Sequence, residues 1–120
     1  VLASLKEADY LISVATGKGR AGLNRVLSAL NMADIFDGSR CADETVSKPD
    51  PLMLNELLDQ FELGSDEALM VGDTEFDLDM AHRAGIPSIG VSYGAHSKDR
   101  LLQYNPVTII DEFIDLKNYI

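Results

Sequence analysis

Two carboxylates four residues apart, Asp73 and Asp77, follow an apolar run that ends in glycine: Ala68-Leu69-Met70-Val71-Gly72-Asp73-Thr74-Glu75-Phe76-Asp77. The run reads as a buried strand ending at Gly72, and the segment after it reads as a helix. Positions i and i+4 of a helix share a face, so both acids point the same way while Glu75 and Asp79 point elsewhere. Oxygen ligands at the carboxyl end of a parallel strand suit a hard divalent cation such as Mg²⁺. The same acids also suit a helix N-terminus, where aspartate caps the first amides and complements the dipole. The pair by itself leaves both readings open.

The elements that must position these acids recur along the chain. Residues 1–8 read as the end of an amphipathic helix, and the apolar, β-prone run 10–15 as a buried strand. Leu23, Val26, Leu27 and Leu30 recur at helical spacing over 20–30, and a short strand is expected near 39–42. Asp50 reads as an N-cap with Pro51 in the first turn, opening a helix to about Phe61 with Leu54, Leu57, Leu58 and Phe61 inward. Strands are expected at 68–71, 87–91 and 107–110. The helix after Asp73 should stop at Gly85, which suits a left-handed cap. A loop is expected at 93–97, a short helix at 98–104 and a closing helix at 113–119. Alternating strands and helices at these spacings require crossover connections, hence an α/β fold with a parallel sheet.

In such sheets ligands bind beyond the carboxyl ends of the strands. That places Thr16 after the first strand, Lys48 after the second, Asp73 after the third and residues 92–96 after the fourth. A hydroxyl, an ammonium and two acids form a coherent set for a phosphate ester. Mg²⁺ on the carboxylates and the Lys48 ammonium would offset phosphate charge, while Thr16 and nearby amides would hydrogen-bond its oxygens. Each residue has a plainer role as well. Threonine is β-prone and can simply end a strand, and Lys48 can be an ordinary surface lysine. Gly17-Lys18-Gly19 lacks the G-x-x-x-x-G-K-[ST] spacing of a phosphate loop, so Lys18 reads as a solvent-facing or substrate-edge residue. His82 falls inside a helix. His96 could border the site, but neither histidine has the partner pattern of a metal ligand or triad.

Composition narrows the classes. The 120 residues fit one domain, 1–120, and 46% hydrophobic residues suffice for a core. A net charge of −10 argues against a nucleic-acid-binding surface. Cys41 is the single cysteine, which excludes an intrachain disulfide and fits a reducing, cytoplasmic setting; its expected role is that of a small buried hydrophobe. No apolar run approaches the length of a membrane helix.

Taken in order, Ile12-Ser13-Val14-Ala15-Thr16, Ser47-Lys48-Pro49-Asp50-Pro51 and Val71-Gly72-Asp73-Thr74-Glu75-Phe76-Asp77 resemble the second, third and fourth motifs of the haloacid dehalogenase superfamily of hydrolases. Ala81-His82-Arg83-Ala84-Gly85 and Gly90-Val91-Ser92-Tyr93-Gly94 resemble its phosphoglycolate-phosphatase-like branch, subfamily IA. The resemblance covers nearly the whole chain. It implies a three-layer α/β/α Rossmann-like core and a Mg²⁺-dependent phosphatase of small phosphorylated metabolites. It also implies that Thr16, with Gly17 beside it, binds the transferring phosphoryl group and that Lys48 balances charge on the nucleophile and phosphoryl oxygens. Asp73 would coordinate Mg²⁺, and Asp77 would support the metal or Lys48 from behind. Gly17 and Lys18 follow Thr16 where many relatives carry asparagine.

The family's first motif, a D-x-D at the end of the central strand, is not matched. Its first aspartate is the nucleophile that forms an aspartyl-phosphate, and its second is the general acid-base. Asp9 and Asp34 are no substitutes, since neither follows a β-prone run. The resemblance therefore implies the carboxyl-terminal part of a core domain, without the nucleophile strand and the cap insertion, whose partner is the missing amino-terminal segment of the same protein. The competing readings are a subunit that borrows the strand and a non-catalytic phosphate-binding or regulatory module. Dehalogenase-type hydrolysis is a further alternative, and a signalling receiver domain fits less well because no acceptor aspartate ends an early strand.

Overall fold

The computed structural model describes residues 2–92 and 97–120, with the side chains of Leu2 and Ala3 left aside. His96 and the rest of 93–96 lie outside the described residues, so the loop expected there is not placed. The chain forms two compact units, Val1–Ser47 and Lys48–Ile120.

The first unit runs α1 (Leu2–Glu7), β1 (Ser13–Thr16), α2 (Arg20–Ala29) and β2 (Gly38–Cys41). β1 and β2 pair in parallel, from Ser13 opposite Gly38 to Thr16 opposite Cys41. The strand begins three residues later than the apolar run suggests, and Tyr10 and Leu11 are exposed. Asp37 is the reason: its carboxylate accepts the Ile12 amide at 2.8 Å, and its own amide donates to the Ile12 carbonyl at 2.6 Å. Lys6 of α1 completes this junction with a 2.7 Å ion pair to Asp37. Of the residues at helical spacing in α2, Leu23 is buried, Leu27 is half-buried, and Val26 and Leu30 are exposed. Cys41 is fully buried, in the small-hydrophobe role expected of it, and burial pushes its thiol pKa up.

The second unit runs α3 (Leu52–Phe61), β3 (Met70–Gly72), α4 (Glu75–Ala84), β4 (Ser88–Val91), α5 (Lys98–Leu102) and β5 (Thr108–Ile110). Its three strands are parallel in the order β3-β4-β5, as the alternation of strands and helices requires. β4 lies in the middle and is buried along its whole length, which accounts for its Ile-Gly-Val composition. Met53, Leu54 and Leu57 of α3, Leu78, Met80 and Ala81 of α4, Ile89 of β4 and Leu101 of α5 form the core. Leu58 and Phe61, expected inward, are half-buried.

Pro51, not Asp50, takes the N-cap position of α3; Asp50 lies one residue before it, and its carboxylate accepts the Leu52 amide at 3.0 Å. Gly85 ends α4 at φ 74, in the left-handed conformation that residues with a Cβ disfavour. The closing segment Phe113–Asn118 is a 3₁₀ helix where the apolar spacing suggests an α-helix. Its ends are tied by three-residue-back bonds, Asp115 to Glu112 and Tyr119 to Leu116, which tighten so short a segment.

Candidate functional site

Gly72 ends β3, and the next two residues turn the chain into α4. Thr74 is the N-cap, extended at φ −121, ψ 156, and its hydroxyl accepts the Asp77 amide at 3.2 Å. Asp77 returns the contact from the first turn of α4. One of its carboxylate oxygens, Oδ2, accepts the Thr74 hydroxyl at 2.9 Å and the amides of Asp73 and Thr74, each at 3.2 Å. This is a capping box in which aspartate stands where glutamate or glutamine usually does.

The other oxygen, Oδ1, accepts the Lys48 ammonium in a direct ion pair. Asp77 has a side chain only 6% exposed and Lys48 one 20% exposed, so the pair is largely out of water. Burial pushes the Asp77 carboxyl up, but the Lys48 charge and the bonds from Thr74 outweigh it and hold the pKa below the ordinary carboxylate value. Both oxygens of Asp77 are thus engaged by protein donors. Asp77 works here as a bracket for Lys48 and for the turn, and the carboxylate that the turn places at the strand end is Asp73.

Gly72 makes the arrangement possible. A Cβ built there would lie 2.3 Å from the Asp77 Cβ and 2.9 Å from its Cγ, closer than carbon atoms approach. Gly72 and Thr74 were not singled out as site residues from the sequence, although the G-D-T-x-x-D order carries both.

The structure brings Lys48, Asp73 and Asp77 together at the carboxyl end of β3. Asp77-Leu78-Asp79 has D-x-D spacing but lies inside α4, where Asp79 pairs with Arg83 one turn on and Asp77 holds Lys48. It is not a strand-end acid pair. His82 lies exposed on α4.

Thr16 and Gly17 belong to the first unit, at the carboxyl end of β1. The Thr16 hydroxyl accepts the Lys18 amide at 3.1 Å, which folds the turn after the strand. Gly17 is exposed, and a Cβ there would meet nothing within 4 Å. The following helix, α2, has its first amide already taken: Arg20 N–H donates to the Asp43 carboxylate at 3.1 Å. The Arg20 guanidinium also pairs with Glu44 at 2.7 Å and donates to the Ser39 hydroxyl at 2.8 Å. The grouping of Cys41, Asp43 and Glu44 is therefore organised around an arginine; with the thiol pKa raised, it does not suit a cation. Contacts spanning more than 20 residues, such as Arg20 to Glu44, leave no local sequence signal.

A Mg²⁺ ion takes oxygen ligands, commonly one or two protein carboxylates with waters and substrate phosphate completing the shell. Asp73, a hard oxygen donor at a strand end and one bond from the Asp77 bracket, fits that partial contribution.

The family model for haloacid dehalogenase-like hydrolases matches residues 1–91. The chain belongs to this family. A Dickeya dadantii protein named "Probable phosphatase IndB" is 40% identical over 117 residues, covering 96% of this chain and 50% of its own length. A phosphoglycolate phosphatase of Rhodospirillum rubrum is 31% identical over 124 residues, covering 100% and 50%. Among solved structures, one described as a "predicted phosphoglycolate phosphatase" from Haemophilus somnus superposes with a TM-score of 0.91 at 28% identity, over 98% of this chain and 53% of that one. The α/β parallel architecture is thus that of the family over nearly every residue. The chain spans about half the length of the curated relatives it matches. Among the described residues no helix is long and apolar enough to cross a membrane.

Proposed function

We propose that the full-length protein is a cytoplasmic, Mg²⁺-dependent phosphomonoester hydrolase of small phosphorylated metabolites, with phosphoglycolate-like compounds as the first substrates to try. The observation that carries the reading is the Lys48–Asp77 ion pair, bracketed by the Asp73-Thr74 turn at the end of a parallel strand. An ammonium anchored beside a strand-end carboxylate suits a dianionic ester. The names of the phosphatase relatives point the same way.

Residues 1–120 then form one core-domain portion. In it Thr16 and Gly17 hydrogen-bond the phosphoryl oxygens. Lys48 offsets charge on the phosphoryl group and on the attacking carboxylate. Asp73 holds the cation, and Asp77 keeps Lys48 and the turn in place. A Mg²⁺ ion, when bound, supplies Lewis-acid polarisation of the phosphoryl oxygens. The nucleophile is an aspartate of the full-length protein outside these residues. Its carboxylate oxygen forms a bond to phosphorus as the bond to the ester oxygen breaks, and the leaving oxygen takes a proton from an acid. Water then attacks the aspartyl-phosphate, releasing phosphate and restoring the carboxylate.

Phosphate release by the full-length protein, measured over a panel of small phosphate monoesters with and without Mg²⁺, tests this. Turnover that appears with Mg²⁺ and disappears with a chelator is expected. Turnover unaffected by metal, or none on any ester, would overturn it, and chloride release from a 2-haloacid would point to dehalogenase chemistry.

A further inference from the structure

We propose that Thr74 is a positioning residue for Lys48, acting through Asp77; the inference rests on the phosphatase reading of this site and adds a residue to it. A lysine side chain is a flexible stem carrying a point charge, so its location is set by the partner that receives it. That partner is Asp77 Oδ1, and the plane of the Asp77 carboxylate is set at Oδ2. Three donors converge on Oδ2, two of them backbone amides at 3.2 Å and the third the Thr74 hydroxyl at 2.9 Å, the shortest of the three.

The hydroxyl is oriented as well as placed. One lone pair accepts the Asp77 amide, so its single proton is directed to Oδ2. Gly72 closes the other side, because its bare backbone lies where only Asp77 fits. Taking the hydroxyl away leaves Oδ2 to the two longer amide bonds alone, which loosens the carboxylate about its last bond and lets Lys48 shift with it.

An ordinary N-cap would explain the 3.2 Å amide bond alone, so the test separates capping from positioning. Three variants of the full-length protein serve. Thr74→Ser keeps the hydroxyl, and Thr74→Val keeps the shape without it. Thr74→Gly removes it while remaining a tolerated N-cap, so that variant folds even where valine does not. The side-chain ammonium of Lys48 is followed by NMR in ¹⁵N-lysine-labelled protein, its signal assigned by its disappearance in Lys48→Met. Steady-state kinetics on a phosphate monoester run in parallel.

The wild type and Thr74→Ser should show a resolved, slowly exchanging Lys48 signal. In Thr74→Val and Thr74→Gly it should merge with those of exposed lysines. kcat in these two should fall about tenfold with KM within about twofold, as expected when a group is misplaced rather than lost. A Lys48 signal unchanged in Thr74→Gly, or Thr74→Ser as impaired as Thr74→Gly, would overturn the proposal. Should the wild type hydrolyse no phosphate ester, the phosphatase reading falls, while the Lys48 signal still decides the role of Thr74.

Discussion

Asp77 occupies the space that a side chain at Gly72 would need. The glycine ends β3, the aspartate sits in the first turn of α4, and an added methyl would lie 2.3 Å from the Asp77 Cβ. The atom in the way belongs to a short side chain bound at both oxygens, so it cannot swing aside cheaply. Gly72→Ala should therefore destabilise the fold by about 1–3 kcal/mol, the usual range for overpacking a tight site, and should displace Lys48 with Asp77. Denaturant midpoints report the first effect, and loss of the proposed phosphatase activity in the full-length protein reports the second. Wild-type stability in the alanine variant would show that the turn can open.

Asp73 and Asp77 should fail differently. Asp73→Asn replaces a hard anionic donor with a neutral amide, so activity should fall on the order of 10² or more at saturating substrate, with little change in Tm. Asp77→Asn keeps an acceptor for the Thr74 and Asp73 amides but weakens the hold on Lys48. About a 10–100-fold loss is expected there, typical of groups that orient others. Mg²⁺ titrations of activity, together with thermal melts, separate the two. A Mg²⁺ dependence in Asp73→Asn indistinguishable from wild type would remove Asp73 from the proposed cation site.

How much of this was legible in the sequence depends on the range of the interaction. The turn Gly72-Asp73-Thr74 and the left-handed stop at Gly85 are written locally, in glycine and cap residues, and both are where the spacing placed them. The parallel α/β class followed from alternation and matches the pairing of the five strands among the described residues. Lys48 was placed near Asp73 through the rule that ligands collect at strand ends and through the motif resemblance, neither of which gives a contact. The resemblance left Asp77 to support either the metal or Lys48, and only the fold shows that it grips Lys48, 29 residues away. β1 starts late for the same reason: Asp37, 25 residues on, takes the Ile12 amide, and no pattern within residues 10–15 announces it. The exposed Val26 and Leu30 show the limit of periodicity, which marks an apolar stripe without saying what covers it.

Asp37 gives the first unit an acid-sensitive joint. The Lys6 ammonium and the Ile12 amide favour its charged form, holding the carboxyl pKa below the usual 3.8. A carboxyl whose pKa is lower folded than unfolded stabilises the fold above its unfolded value, and that contribution is lost as pH falls through the folded value. Stability should thus be level above about pH 5 and decline as pH falls through 3.8 and below. Asp37→Asn should lower stability near neutrality and flatten this part of the decline. Urea midpoints measured from pH 7 to pH 3 check it, and an equally steep decline in the variant would assign the acid sensitivity to other groups.

Lys48 has a structural debt to Asp77 that can be separated from its chemistry. Lys48→Met leaves the Asp77 carboxylate, 6% exposed, without its counter-charge. Breaking a buried pair by removing one partner costs about 3–5 kcal/mol; because Lys48 is 20% exposed, the lower end of that range or somewhat less is expected. Adding Asp77→Asn removes the stranded charge while keeping an acceptor for the Thr74 hydroxyl and the two amides. The double variant should therefore recover most of the lost stability, a coupling visible in a double-mutant cycle of denaturant midpoints. Activity of the full-length protein should not return with it, because the ammonium proposed to offset phosphoryl charge is still missing. Recovery of both together would make Lys48 a structural lysine, and recovery of neither would place its main contact somewhere other than Asp77.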